Sequence, residues 1–235
     1  MKKASVIAID GPAGSGKSTL GMELARRLGH MYFDTGVLYR AVTLLALREH
    51  IDPADEGAVV ALSERSTIDV LPPTVADGRQ YTVIANGEDI TWQIREPAVD
   101  HNVSVVSAHP GLRRALLSVQ RDIAYRGRVV MVGRDIGTVV VPEADLKIFL
   151  NASLATRAER RYRELLARGY AVTVCEVQAE VRKRDELDSH RAMAPLRAAP
   201  EAHVIQTDHL TIAEEADLVE ALACHLGDKK SDVVL

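Results

Sequence analysis

The chain has 235 residues, of which 47% are hydrophobic and 26% are charged, and this length and composition are typical of one globular α/β domain. The net charge of -4 excludes broad coating of nucleic acid, which needs a strongly basic surface. Cys175 and Cys224 have no CxxC spacing, so neither a disulfide framework nor a zinc cluster is predicted. No stretch approaches the roughly 20 apolar residues of a membrane span, and Asp10 interrupts the apolar run at the N-terminus. We therefore expect a cytoplasmic protein without a nucleic-acid or membrane partner.

The first predicted elements enclose a phosphate loop. SVIAID at 5–10 predicts a strand, and Leu20, Leu24 and Leu28 recur at one-turn spacing up to Gly29, which predicts a helix. Between them GPAGSGKS fits G-x-x-x-x-G-K-[ST], in the strand-loop-helix context that this motif requires. We expect a nucleoside triphosphate as co-substrate, with a lysine bridging its β and γ phosphates and a serine hydroxyl on Mg²⁺. The predicted ATP-binding residues are Gly11, Pro12, Ala13, Gly14, Ser15, Gly16, Lys17, Ser18 (also the metal ligand) and Thr19.

The next strand and helix carry a second group of candidate residues. MYF at 31–33 predicts a strand, and GVLYRAVTLLALREH at 36–50 predicts a helix. Thr35 and Gly36 lie between them, at the carboxyl edge of the sheet where ligands bind, and Arg40 is one turn further along. Arg40 could hold a phosphate group. The alternative for this stretch is an ordinary helix start with Thr35 as the capping hydroxyl.

The middle of the chain changes character between about residues 66 and 105. Apolar and polar residues alternate there around Asn86-Gly87, which indicates a small antiparallel insertion. A helix opening at Pro110 and a strand RVVMV at 128–132 resume the α/β order. Two opposite charges, Arg134 and Asp135, follow that strand directly. They could form an ordinary surface ion pair or face a ligand with an anionic end and a hydrogen-bond donor.

The last third alternates in the same way. We predict a strand at 145–152, helices at about 153–168 and 176–191, a strand at 202–207, a helix at 211–226 and a frayed tail at 227–235. Arg157, Arg160 and Arg161 cluster on the first of these helices. Arg184, Asp188 and Arg191 share a face of the second. Each cluster could contact a bound nucleotide, or it could be an ordinary solvated, ion-paired helix face. The alternation predicts a parallel sheet covered by helices on both faces.

The charge pattern favours a kinase among the phosphate-loop proteins. The chain has no N-K-x-D guanine reader and no strand that ends in the acidic pair of a motor ATPase. Arginines are instead spread over four segments, as an enzyme needs when it joins two polyanionic substrates.

The motifs GPAGSGKS, FDTGVLYR, VGRDIGT and DSHRAMAPL, in this order from about Ser5 to about Glu220, resemble bacterial cytidylate kinases. This resemblance implies a single P-loop kinase domain over 1–235, with a parallel sheet flanked by helices. It also implies an inserted antiparallel monophosphate-binding subdomain at about 66–105 and a short helical lid at about 153–192. The implied enzyme is monomeric and transfers a phosphoryl group from ATP to CMP or dCMP.

The resemblance also implies roles for individual residues. Asp135 accepts a hydrogen bond from the cytosine amino group, which is a known pairing of that group, and Arg113 and Ser104 also lie at the base. Arg134 and Arg40 hold the α-phosphate. Arg184 and Asp188 bind the sugar hydroxyls, and Arg191 lies near the phosphates. The full implied CMP site is Thr35, Gly36, Tyr39, Arg40, Ser104, Arg113, Gly133, Arg134, Asp135, Arg184, Asp188 and Arg191. The implied catalytic residues are Lys17, Arg134, Arg157 and Arg161.

One position departs from the family pattern. Relatives commonly read D-G-R-D where this chain has Val132-Gly-Arg-Asp, so a carboxylate near the magnesium shell is absent. Asp10 or Asp34 could serve through water, or Ser18 and the phosphates could suffice. Two other functions stay open at this point. One is a different small-molecule P-loop kinase, acting on thymidylate or shikimate, and the other is an inactive nucleotide-binding regulator.

Overall fold

The computed structural model describes residues 5–167, 169–191 and 193–229, and its centre is a five-stranded parallel sheet. The strands lie in the order β2-β6-β1-β7-β8, which confirms the predicted parallel α/β fold. Their bounds are β1 Val6–Asp10, β2 Met31–Asp34, β6 Val129–Gly133, β7 Leu146–Asn151 and β8 His203–Gln206.

Both faces of this sheet are buried at its centre, where β1 and β6 are nearly continuous apolar runs. Ile7 and Ile9 point into one core and Ala8 into the other. One core is covered by α1 and α8, and the opposite core by α2, α3 and α5, with the inserted segment packed against it. The helix bounds are α1 Lys17–Leu28, α2 Gly36–Arg48, α3 Glu56–Arg65, α5 Pro110–Tyr125 and α8 Ile212–Lys229.

The insertion contains the predicted antiparallel sheet. Strands β3 (Ile68–Leu71), β4 (Thr82–Ala85) and β5 (Glu88–Asp89) pair in sequence. Asn86 and Gly87 join the last two with φ of 50° and 85°, as the two central residues of a type I′ hairpin turn require. From residue 93 onward the prediction is wrong: a 3₁₀ turn at Gln93–Arg95 leads into helix α4, Pro97–Val106.

The single tryptophan of the chain lies on this insertion. Trp92 is 45% exposed, and its indole N–H donates to Asp77 at 2.9 Å. The Arg95 guanidinium lies 5.2 Å from the centre of its ring, within the range of a cation–π contact.

Two helices cross above the carboxyl end of the sheet, α6 (Leu154–Ala167) and α7 (Val174–His190). Helix α7 starts at a capping box formed by Thr173 and Glu176, so it begins two residues before the predicted start. The helix predicted to end at Arg168 reaches Ala167, and Arg168 lies outside the described residues. Residues 227–229 of the predicted frayed tail continue α8, and residues 230–235 are also outside the description. No helix in the described ranges is long and apolar enough to cross a bilayer.

Candidate active site

A cavity of about 700 Å³ opens at the carboxyl edge of the parallel sheet, where α/β proteins bind their ligands. Its wall is formed by the loop after β1, the start of α2, the loop after β6 and the facing surfaces of α5, α6 and α7, together with the end of α4 and the start of α8. The predicted residues that line it are Ala13, Gly14, Gly16, Lys17, Ser18, Thr19, Thr35, Gly36, Tyr39, Arg40, Arg113, Gly133, Arg134, Asp135, Arg161, Arg184, Asp188 and Arg191.

The loop after β1 has the conformation of a phosphate cradle. Gly11, Gly14 and Gly16 have φ of 151°, 74° and 95°, where a residue with a Cβ is strained. At Gly11 an added Cβ would also lie 2.2 Å from the carbonyl oxygen of Leu150. The glycines therefore allow the loop to turn tightly over the start of α1, whose N-terminal N–H groups favour an anion.

The side chain of Lys17 is held by its own loop. Its Nζ donates to the Pro12 carbonyl at 2.6 Å and to Ser15 Oγ at 3.3 Å. Lys17 is 6% exposed, and this burial lowers the pKa of its ammonium group well below the usual value. A phosphate arriving in the loop would supply the negative charge that this buried cation lacks.

Two oxygen ligands suited to Mg²⁺ lie side by side at the loop. Ser18 Oγ is 3.4 Å from Asp34 Oδ2, and both residues line the cavity. Asp10 is different, because its two carboxylate oxygens accept from the backbone N–H groups of Ile136 and Gly137 at 2.8 Å each. Burial raises the pKa of Asp10 to about 6, although these two hydrogen bonds oppose the rise. Of the two carboxylates considered from the sequence, Asp34 is therefore the one that fits a hard, oxygen-bound cation.

A buried carboxylate lies behind the same loop. Glu215 of α8 is fully buried, and neither of its carboxylate oxygens has a hydrogen-bond partner among the described residues. A Cβ placed on Gly16 would lie 3.8 Å from Glu215 Oε2 and from the Arg160 guanidinium. Burial raises the pKa of Glu215 to about 7, against a smaller opposing effect of Arg160.

On the other side of the cavity, Asp135 forms a buried pair with Arg113. The Arg113 Nη2 atom lies 2.7 Å from both carboxylate oxygens, and the two side chains are 6% and 8% exposed. Arg191 approaches the same carboxylate at 3.4 Å. The Tyr39 ring supports this group, with the Arg113 guanidinium 5.3 Å from its centre. Asp135 is thus a buried acceptor with fixed donors beside it.

Arg134 takes a different partner from its sequence neighbour. Its Nε donates to Asp188 at 2.8 Å, so within the described residues Arg134 and Asp135 do not form the surface pair considered from the sequence. Burial acts to raise the pKa of Asp188, but Arg134, Arg184 and Arg191 outweigh it and lower that pKa. Burial and the nearby Arg134 lower the pKa of the Arg184 guanidinium to about 10. This corner of the cavity carries an excess of positive charge.

The start of α2 is shaped by Asp34 and not by Thr35. The Asp34 carboxylate accepts from the Gly36 N–H at 2.9 Å, whereas the Thr35 hydroxyl donates to the Val132 carbonyl at 3.2 Å. The alternative in which Thr35 caps the helix through its hydroxyl is therefore wrong. Val132 itself is 1% exposed and packs in the core that contains α1.

The arginines of α6 separate into two groups. Arg157 is 6% exposed and donates to the Ala152 and Ala13 carbonyls, and its Nη1 lies 2.7 Å from Asp185. It braces the rear of the phosphate loop and is not among the cavity-lining residues, and its role at the transferred phosphoryl group stays a prediction. Arg160 and Arg161 do line the cavity.

Some predicted residues lie outside the cavity wall, and some wall residues were not predicted. The residues of the phosphate loop that do not line the cavity are Gly11, Pro12 and Ser15. Ser104 does not line it either, whereas Val103 and Ser107 in the same part of the chain do. The role of Ser104 stays a prediction. Among the unpredicted wall residues are Glu164, Leu210, Thr211 and Ile212. The last three precede or open α8 and carry no phosphate-binding or charge pattern that a sequence reading could detect.

Comparison with known proteins agrees with this geometry. The cytidylate kinase family model matches residues 7–224. A cytidylate kinase of Chloroflexus aggregans is 53% identical over 219 residues, covering 93% of this chain and 94% of its own. One from Bacillus licheniformis is 45% identical over 231 residues, covering 98% and 99%. An uncharacterized protein from Eubacterium ventriosum has a solved structure that shares the fold, with a TM-score of 0.51 at 11% identity over 94% of this chain and 98% of its own.

Proposed function

This chain belongs to the cytidylate kinase family, and from that premise we propose that it transfers the γ-phosphoryl group of ATP to the phosphate of CMP. One observation carries the proposal: a single cavity contains both a phosphate loop and a buried Asp135 that is paired with Arg113. A triphosphate site and a site with a fixed hydrogen-bond acceptor thereby face each other. The products are ADP and CDP.

The donor site holds ATP mainly through the backbone. N–H groups of the loop and of the first turn of α1 bind the phosphate oxygens, and Lys17 exchanges its bond to the Pro12 carbonyl for the β and γ phosphates. Ser18 and Asp34 would hold Mg²⁺, which supplies charge neutralisation across the β and γ phosphates when it is bound. The oxygen of the acceptor phosphate is already anionic, so no general base is needed.

The acceptor base is recognised by the buried pair. Asp135 accepts from the exocyclic amino group of cytosine, and Arg113 donates to the neighbouring acceptors of the ring. Uracil presents an oxygen at the position of that amino group, opposite the Asp135 carboxylate. An unpaired polar group in a buried site costs about 1 to 3 kcal/mol, and more when it is charged. CMP should therefore be preferred to UMP.

The remaining acceptor contacts come from the positive corner of the cavity. Arg134 and Arg40 hold the α-phosphate of CMP, with Arg191 nearby, and Asp188 and Arg184 bind the sugar hydroxyls. We propose dCMP as a second acceptor, because it keeps the base and phosphate contacts. Arg160 and Arg161 of α6 are the lid arginines that line the cavity, so they are better placed than Arg157 to stabilise the transferred group. Monomeric state and cytoplasmic location stay predictions from the sequence.

The experiment that tests the function measures ADP formation from ATP and Mg²⁺ with CMP, dCMP, UMP, AMP, GMP, TMP and shikimate, and without acceptor. We expect the highest kcat/KM with CMP and dCMP, and at least about tenfold less with UMP, which is the effect of about 1.4 kcal/mol. Highest turnover with TMP or shikimate would contradict the proposal. ATP binding without turnover in any mixture would instead support the regulator considered from the sequence.

A further inference from the structure

Asp100 lies between two arginines that line the cavity, Arg40 of α2 and Arg161 of α6. It lies on α4, in the part of the insertion that turned out to be helical, and is 19% exposed at its side chain. Its Oδ1 lies 2.6 Å from Arg40 Nη2 on α2, and its Oδ2 lies 3.9 Å from Arg161 Nη2 on α6. One carboxylate therefore faces two arginines from two other elements, and neither the motif pattern nor the family resemblance drew attention to it.

Both arginines have a proposed role at a phosphate. In the proposed function, Arg40 holds the α-phosphate of the acceptor and Arg161 belongs to the lid. Arg40 also donates to the Ile94 carbonyl at 3.0 Å, so its other contact comes from the insertion as well. Arg161 has a second acid nearby, Glu164 at 2.8 Å. A carboxylate that presents one oxygen to each arginine offers the negative charge and the acceptor oxygens that a phosphate would offer there.

We propose that Asp100 is a positioning residue that stands in for the acceptor phosphate in the empty enzyme, holding Arg40 and Arg161 until the acceptor replaces it. This inference rests on the proposed function. Binding of CMP then transfers Arg40 from carboxylate to phosphate and frees Arg161 from the insertion. The exchange links occupancy of the acceptor site to release of the lid helix, at the cost of some acceptor affinity, because the phosphate has to displace a formed ion pair.

The test is Asp100→Asn, which keeps the size of the side chain and removes its charge. Calorimetry should show CMP binding tightened by about threefold to fivefold, the effect of one partly exposed ion pair. The KM for CMP should fall in the same proportion, while the KM for ATP stays unchanged. Cytidine, which has no phosphate, should bind both proteins equally. The matched control is Asp122→Asn, which changes an exposed aspartate on α5. It should leave the affinities for CMP and cytidine and the KM values for CMP and ATP unchanged.

Other results would overturn the inference. Unchanged or weakened CMP binding in a variant with wild-type melting temperature would show that Asp100 does not compete with phosphate, and an equal gain for cytidine would show that the effect is not at the phosphate. Asp100→Glu keeps the charge and should bind CMP within about twofold of wild type, because the ion pair persists. A Glu variant that behaves like the Asn variant would exclude charge as the cause. Failure of the wild-type protein to bind CMP would instead refute the proposed function.

Discussion

The donor and acceptor halves of the cavity are built in opposite ways. The donor half is one continuous segment, Gly11 to Thr19, and its charged side chain, Lys17, bonds to a carbonyl of the same loop. The acceptor half takes its arginines from separate elements, and three of them pair with carboxylates from distant segments: Arg40 with Asp100, Arg113 with Asp135, and Arg134 with Asp188. Glycine-dependent backbone geometry organises the first half, whereas ion pairs between distant segments organise the second.

The largest expected effect comes from removing the charged side chain of the donor loop. Lys17→Ala should lower kcat by at least about a hundredfold, which is typical for loss of one preorganised electrostatic contact in a transition state. The fold should persist, because the loop conformation depends on its glycines. Steady-state kinetics and the melting temperature check both statements, with Arg26→Ala, 71% exposed at its side chain on the same helix, as the control. Near-normal turnover would contradict the assignment of the phosphate loop.

A smaller effect is expected in the acceptor half, where several side chains share the work. Asp135→Asn should lower kcat/KM for CMP by about tenfold to a hundredfold and raise the UMP to CMP ratio, since the amide can also donate to the oxygen of uracil. Asp188→Asn is the matched control, as it changes the carboxylate that pairs with Arg134 in the same half of the cavity. It should alter the ratio of kcat/KM for CMP to that for dCMP, but leave the ratio of kcat/KM for UMP to that for CMP unchanged. An unchanged UMP ratio in Asp135→Asn would place base recognition elsewhere.

The smallest effect concerns the unpaired Glu215 behind the donor loop. Its pKa is raised from 4.5 to about 7 in the folded chain, so the folded state holds the proton more tightly than the unfolded state. Stability should therefore fall as pH rises from about 4.5 to about 7 and stay lower above that. Glu215→Gln should remove this loss of stability at high pH. A gain of about 1 kcal/mol in the free energy of unfolding raises the melting temperature of a domain of this size by about 2 to 4 °C.

Thermal unfolding at pH 5 and pH 8 separates this effect from general stabilisation. Glu215→Gln should raise the melting temperature at pH 8 and leave it nearly unchanged at pH 5. The control, Glu180→Gln, changes an exposed residue of α7 and should have no effect at either pH. An equal gain at both pH values would mean that the glutamine simply packs or bonds better than the glutamate.

The sequence predicted what depends on neighbouring residues. Strand and helix alternation gave the parallel sheet, and a contiguous motif gave the donor loop. Helix α3 was not predicted, because only Val59 and Leu62 of its residues are buried and the apolar pattern is weak. In α4 the alternating pattern of the insertion concealed the helix start at Pro97, a position where proline commonly opens a helix.

The partners of the acceptor arginines could not be predicted in the same way. Arg113 and Asp135 are 22 positions apart, and Arg134 and Asp188 are 54 apart, so only the folded chain determines which charges meet. The arginines of α6 illustrate the same limit. Arg157 and Arg161 are one turn apart on a single helix, yet the first braces the phosphate loop and the second lines the cavity, because α6 crosses the loop near its own N-terminus.

The position of Trp92 gives the protein an intrinsic optical reporter. As the single tryptophan, it dominates emission excited near the red edge of protein absorption, and it lies on the insertion with the Arg95 cation over its ring. Arg95 follows directly after Ile94, whose carbonyl accepts from Arg40. If the acceptor phosphate draws Arg40 away from that carbonyl, as the proposed function implies, the emission of Trp92 should change in intensity. Stopped-flow fluorescence can therefore follow acceptor binding in the unlabelled, unmodified chain.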